Sequence, residues 1–165
     1  MTGTVLVTYG STNGSTARIA ETVADVLRKD GLTVEVRPAE DVTSVAPYDA
    51  VVAGAGLYGG RWQKDARRFL RRHRRALAER PLWLFSSGPL DASASERDIP
   101  PVPGVRKAVT ALDARGHVTF GGCLQEGAKG WIARMILRDG KGGDHRDFIA
   151  VEAWATRVAD EIRHI

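Results

Sequence analysis

At 165 residues the chain is long enough for one domain, residues 1–165, burying roughly two-thirds of its unfolded surface. Its 43% hydrophobic and 27% charged content is that of an ordinary globular protein, and its single cysteine, Cys123, excludes an internal disulfide framework. The net charge of +4 conceals a concentration: nine Arg and Lys between Arg61 and Arg80, against Asp65 and Glu79, make that segment +7 and leave the remainder at −3. Four histidines (His73, His117, His145, His164) are far apart without metal-ligand spacing, so no metal site is expected. No basic, signal-type leader opens the chain and no apolar run nears the ~20 residues of a membrane span, so the expected location is cytoplasmic.

In chain order, Val5–Tyr9 is a short apolar run without clean alternation, as a strand covered on both faces requires. A polar, glycine-containing turn follows, and then Ile19, Val23, Val26 and Leu27 fall at helical spacing until Asp30-Gly31 stops them. Leu32–Val36 is expected as a second strand closed by Pro38. The segment 39–48 is weakly periodic and fits a short helix or turn. Ala50–Ala55 reads as a third buried strand entering a loop with three glycines, Gly56-Leu57-Tyr58-Gly59-Gly60.

One helix is then predicted, with Ala66, Phe69, Leu70, His73 and Leu77 on one face, nearly all the arginines on the other, and Pro81 as its end. Leu82–Ser86 is a fourth strand, and Ser87-Gly88-Pro89-Leu90 opens a polar loop reaching Pro103. Val105, Val109 and Leu112 mark a helix stopped at Arg115-Gly116, and Val118–Cys123 is a fifth strand. Residues 124–147 form a long excursion with a short helix at Trp131–Leu137 and a glycine-rich turn at Gly140–Gly143; loops of this length are commonly functional. Trp154, Val158 and Ile162 mark the closing helix.

Five strands alternating with helices imply a parallel sheet covered on both faces, because parallel strands need crossovers of a helix's length. In the order 2-1-3-4-5 a ligand crevice opens beyond the carboxyl ends of the first and third strands. The glycine-rich turns after Tyr9 and after Ala55 follow those two strands.

The turn Gly10–Thr16 places Ser11, Thr12, Asn13, Ser15 and Thr16 at a helix N-terminus, with Gly14 allowing close backbone approach. A plain helix cap needs one such residue; five exceed that need and point to a bound phosphate. The spacing is not G-x-x-x-x-G-K-[ST] and no lysine is placed to reach a β- or γ-phosphate, which argues against a nucleoside triphosphatase. It is not G-x-G-x-x-G either, so a dinucleotide is disfavoured. A monophosphate suits it best.

G-S-T-N-G-S-T after a first strand resembles the flavodoxin phosphate loop, whose core is T-x-T-G-x-T; Ser11, Gly14 and Thr16 match it in place or by close substitution, with Asn13 where a threonine is usual. Leu57-Tyr58-Gly59-Gly60, the run G-G-D-x-R-D-F at Gly142–Phe148, and Trp154 resemble the flavodoxin-like branch that includes menaquinone-dependent protoporphyrinogen dehydrogenase. The excursion differs from that branch, having one Trp and no Tyr where the branch is rich in Arg and Tyr. The resemblance implies an α/β, flavodoxin-like three-layer sandwich and FMN as cofactor. It implies phosphate contacts from Ser11, Thr12, Asn13, Gly14, Ser15 and Thr16. The ring walls are then Gly56, Leu57, Tyr58 and Gly59 on one side and Ser87, Gly88, Pro89 and Leu90 on the other.

The flavin itself carries the chemistry, so no catalytic residue is assigned. Two redox activities and one non-redox role stay open. One is an FMN-dependent oxidoreductase passing electrons to a quinone or another acceptor, with porphyrinogen oxidation as one instance. The other is a non-enzymatic shuttle between redox partner proteins; a domain that has lost FMN and serves as an interaction module is a third. The arginine face suits an acidic partner or the anionic surface of a membrane, and nucleic acid is disfavoured because no recognition fold accompanies the charge.

Overall fold

The computed structural model describes residues 3–11, 14–58, 60–88, 100–121 and 143–165, with residue 15 and residues 143–147 described by backbone alone. Its strands are β1 (Thr4–Gly10), β2 (Thr33–Pro38), β3 (Ala50–Tyr58), β4 (Arg61–Trp62), β5 (Leu82–Ser87) and β6 (Gly116–Phe120). Its helices are α1 (Ser15–Lys29), α2 (Lys64–Arg72), α3 (Arg74–Ala78), α4 (Pro103–Ala111) and α5 (Gly143–Arg163), with a 3-10 turn at Ala39–Asp41. The parallel strands run in the order β2-β1-β3-β5-β6, which is the expected 2-1-3-4-5 winding, and β4 pairs with β3 off that path.

Alternation along the buried strands builds two cores. Val5, Val7 and Val52 face α1 and α5, packing with Ile19, Val23, Leu27, Val151, Trp154 and Val158. Leu6, Val51 and Ala53 face the other way, toward Phe69 and Leu70 of α2, Leu77 of α3 and Val105 of α4. Burying both faces of β1 explains its unalternated sequence.

Helix α1 ends where Asp30-Gly31 predicts. Gly31 takes φ 93°, and its N–H reaches the Arg28 carbonyl while the Leu32 N–H reaches that of Leu27. That is the two-bond glycine stop, with Leu32 packed back into the same core as Leu27. Pro38 closes β2 from within the strand, opposite Tyr9, which an edge strand tolerates.

Three expectations are corrected. Gly56–Tyr58 is not loop: β3 continues through it and pairs antiparallel with β4, Leu57 opposite Trp62 and Tyr58 opposite Arg61. The arginine-rich segment is not one helix but α2 and α3, broken at His73 (φ −106°, ψ 21°). Arg67 and Arg71, Arg68 and Arg72, and Arg71 and Arg75 stand at the i, i+4 spacing where like charges weaken a continuous helix, and the break lets Leu77 reach the core fully buried. The last strand begins at Gly116 rather than Val118. Gly116 is a strand residue because it pairs with Trp83 of β5, and a Cβ there would sit a tight 3.3 Å from the Trp83 ring. Cys123, the helix expected at Trp131–Leu137 and residues 124–142 lie outside the described residues, while 143–147, expected as the end of the excursion, are already the first turn of α5.

Gly54 shows how tightly the sheet is packed. A Cβ there would lie 2.1 Å from atoms of the Phe85 ring, which joins Phe120 and Trp154 in an aromatic cluster with centroids 5.8–6.1 Å apart. We expect Gly54→Val to lower the urea-unfolding free energy by about 1–3 kcal/mol through overpacking, whereas Gly104→Ala, in open space inside α4 and not at a positive φ, should not lower it. His73 gives a second prediction. Burial holds its imidazole below the ordinary histidine range, opposed by a hydrogen bond with the Val42 backbone and reinforced by Arg72. Its folded pKa lies below its unfolded one, so its contribution is complete above about pH 6.5 and is lost as pH falls through the folded value. His73→Leu should therefore flatten the decline of the urea midpoint between about pH 7.5 and pH 5.

Candidate functional site

Register brings the carboxyl ends of three strands level. Gly10 pairs with Ala55 and Gly56 with Ser87, so the turns after β1, β3 and β5 open on one edge of the sheet. The edge is too crowded for side chains at several positions. A Cβ on Gly10 would meet Gln63 Oε1 at 2.3 Å and the Ala66 Cβ at 2.8 Å. Gln63 is there because it caps α2, its Oε1 accepting from the N–H groups of Asp65 (2.8 Å) and Ala66 (3.2 Å). Its own N–H donates to the Gly56 carbonyl at 2.9 Å. One buried glutamine thus ties the ends of β1 and β3 to the start of α2.

At α1 the N-cap is Gly14, held at φ 84° in the left-handed region and offering no side chain to cap the first turn. Ser11 shapes the turn, its Oγ accepting from the Gly14 N–H at 2.8 Å. The first turn carries no acidic residue, so the helix's partial positive charge meets no internal carboxylate there. Thr16, in that turn, is 1% exposed, and its Oγ1 has no hydrogen-bond partner among the described residues. A buried hydroxyl left in that state costs about 1–3 kcal/mol unless something fills it.

Gly56 lies opposite. A Cβ on it would stand 3.3 Å from Thr16 Oγ1, 3.1 Å from the Tyr58 hydroxyl and 3.0 Å from the edge of the Tyr58 ring. The orphan hydroxyl, the bare strand end and the phenol therefore converge on one place, and Tyr58 keeps 41% of its surface exposed. On the far wall Gly88 adopts φ 128°, donates its N–H to the Phe120 carbonyl at 2.8 Å, and faces Leu57, whose Cβ is 3.5 Å from where its own Cβ would be. Ser87 is buried beside Gly56.

The described edge thus brings together Ser11, Gly14, Thr16, Gly56, Leu57, Tyr58, Ser87 and Gly88. Thr12, Asn13, Gly59, Pro89 and Leu90, and the side chain of Ser15, lie outside the described residues. Phe148, last in the Gly142–Phe148 run, lies under the Arg18 guanidinium at 5.1 Å from its ring centroid, joining α5 to α1. Sequence reasoning missed two supports of the site. Gln63 is one. The other is a polar relay behind the hairpin: the Trp62 indole N–H donates to Ser86 Oγ at 2.8 Å, and that oxygen is 2.9 Å from His117 Nε2. Trp62 is 3% exposed and anchors the hairpin to β5.

An anion suits the open N-terminus of α1: the helix dipole, a glycine cap and an unsatisfied hydroxyl all favour an acceptor-rich group. The residues present fit the phosphate of a mononucleotide. No curated protein sequence matches the chain. A family model described as flavodoxin domain matches residues 6–141. Among solved structures, the chain is similar to rubredoxin oxygen:oxidoreductase from the anaerobe Desulfovibrio gigas (TM-score 0.68, 14% identity), covering 98% of this chain and only 36% of that one. It is also similar to a flavodoxin from the domain Archaea (TM-score 0.64, 14% identity, 98% of this chain and 99% of that one). A third is a Fusobacterium nucleatum flavodoxin mutant bound to flavin mononucleotide (TM-score 0.52, 15% identity, 72% and 68% coverage). The match to the flavodoxin domain family supports FMN as the cofactor.

Thr16→Val separates ligand binding from folding. Without cofactor it should unfold at higher urea, by about 1 kcal/mol, because the orphan hydroxyl is gone. With FMN added, it should bind at least roughly tenfold more weakly in a fluorescence titration. An unchanged FMN affinity would detach Thr16 from the phosphate.

Proposed function

Because the chain belongs to the flavodoxin domain family, we propose that it is an FMN-dependent oxidoreductase that passes electrons from a reductant to a quinone or another acceptor. Porphyrinogen oxidation is one instance of that activity. The observation that carries the reading is the buried Thr16 hydroxyl, without a partner among the described residues, beside Gly14 and Gly56 at the mouth of α1. In this assignment the phosphate lies on Ser11, Thr12, Asn13, Gly14, Ser15 and Thr16. Gly56, Leu57, Tyr58 and Gly59 flank the ring from one side; Ser87, Gly88, Pro89 and Leu90 flank it from the other.

When bound, FMN supplies one- and two-electron chemistry, and the protein's share is placement and electrostatics. Gly56 presents its backbone without a side chain in the way. Its carbonyl is already engaged by Gln63, which fixes the orientation of that peptide. Leu57 and Gly88 face each other across the edge, supplying an apolar wall and a flat one. No acid–base pair is required of the protein.

The arginine face supports an anionic docking partner. Arg61, Arg68, Arg71, Arg72, Arg74 and Arg75 are exposed, and among the described residues none forms a salt bridge. Unneutralised charge of one sign raises the local concentration of acidic partners, and of anionic lipid where a quinone resides. Among the described residues no helix is long and apolar enough to cross a membrane, so contact with a bilayer would be peripheral. A shuttle between proteins is the second reading. It is favoured by the nearly complete overlap with the archaeal flavodoxin, 98% of this chain and 99% of that one.

Purified protein should show flavin absorbance, and a Gly14→Val, Thr16→Ala double variant should lose it. Tight FMN retention by the double variant would refute the phosphate assignment. After anaerobic reduction, a soluble menaquinone analogue should accelerate reoxidation by at least about tenfold, as a positioned acceptor requires. A rate unchanged by the quinone would leave the shuttle as the activity.

A further inference from the structure

Behind the β3–β4 hairpin, on the face of the sheet away from α1, lies a cavity of about 440 Å³. It is lined by Gly60, Arg61 and Trp62 of the hairpin, Arg67 and Leu70 of α2, and residues 102–105 at the start of α4. None of these residues is assigned to FMN. The volume is that of a small-molecule site. Trp62 and Leu70 give it an apolar wall continuous with the core that includes Val105.

Its charge is one-sided. Among the described residues both ionisable side chains that line it are guanidiniums, and no carboxylate does. Arg67 is not a free surface arginine: its Nε donates to the Trp62 carbonyl at 3.0 Å. That bond anchors the guanidinium against the hairpin, and among the described residues its terminal nitrogens meet no carboxylate. The side chain of Arg61, on the facing strand, makes no hydrogen bond or salt bridge among the described residues, and Gly60 and Gly104 have open space where a Cβ would project. A tethered arginine and a second unpaired one beside an apolar volume match a ligand with a planar anionic head and an apolar body. Arginine engages such a head through two parallel N–H donors, in a geometry lysine lacks.

We propose that this cavity binds a small amphipathic carboxylate, its ring system against Trp62 and Leu70 and its carboxylate on Arg67 and Arg61. Occupation has a route to the strand ends. Arg61 and Trp62 pair residue by residue with Tyr58 and Leu57, so a ligand holding β4 also holds the end of β3.

Calorimetric titration of the full chain with 2-naphthoate, and with its neutral counterpart 2-naphthylmethanol, tests the proposal without reference to the cofactor. The carboxylate should bind one to one and shift the Trp62 indole N–H resonance, and the neutral compound should bind at least roughly tenfold more weakly. Arg67→Gln and Arg61→Gln should each weaken naphthoate by roughly tenfold, and Arg71→Gln, on the same helix but off the cavity, should leave it unchanged. Arg61→Gln removes no side-chain bond among the described residues, so it reads the ligand contact even if Arg67→Gln loosens the hairpin. Equal affinity for the neutral compound overturns the proposal, as does an equal loss in Arg71→Gln. Absence of both heat and an indole shift at millimolar naphthoate overturns it too.

Discussion

Helix α1 starts on a residue that cannot cap it with a side chain. Gly14 turns into the left-handed region, and the buried Thr16 hydroxyl finds no partner among the described residues. A fold left to optimise its own stability would place serine or aspartate at that cap and an apolar residue at position 16. The helix dipole and the orphan hydroxyl instead face the same point, where an acceptor-rich anion satisfies both. Much of the described edge serves to deliver groups to that point.

Delivery depends on close packing at glycine. Gly10 leaves room for the Gln63 cap of α2, Gly54 for the Phe85 ring, and Gly56 for the convergence of Thr16 and Tyr58. In each case the missing Cβ lets one element approach another more closely than any other residue allows. Gln63 then fastens β1, β3 and α2 together, and Trp62 fastens the hairpin to Ser86 of β5. The edge is stiff because its ties are buried, and a preorganised edge binds without first having to be ordered.

How much of this was legible in the sequence follows from where each signal resides. Strands buried on both faces read as apolar runs, and their alternation with helices implied the parallel winding that the sheet adopts. The Gly31 stop is a local signal, and so is the cluster of polar residues around Gly14. The hairpin was hidden, because a strand of two residues, Arg61–Trp62, has no period to detect and its partner segment carries the glycines of a loop. Gly116 looked like a terminator, although it pairs with Trp83 on another strand, where a Cβ would crowd that ring. The ties at Trp62–Ser86 and Ser86–His117 join residues 24 and 31 positions apart, and nothing local to either end announces the other.

The central claim is that the mouth of α1 holds a phosphate, and it is tested most directly by comparing FMN with riboflavin, which differs only in lacking that group. Titrating each into cofactor-free protein and following the quenching of flavin fluorescence gives two dissociation constants. Charge-assisted bonds at a helix N-terminus predict that FMN binds at least roughly a hundredfold more tightly. Equal affinities would contradict the account, since the flavin would then be held by its ring alone.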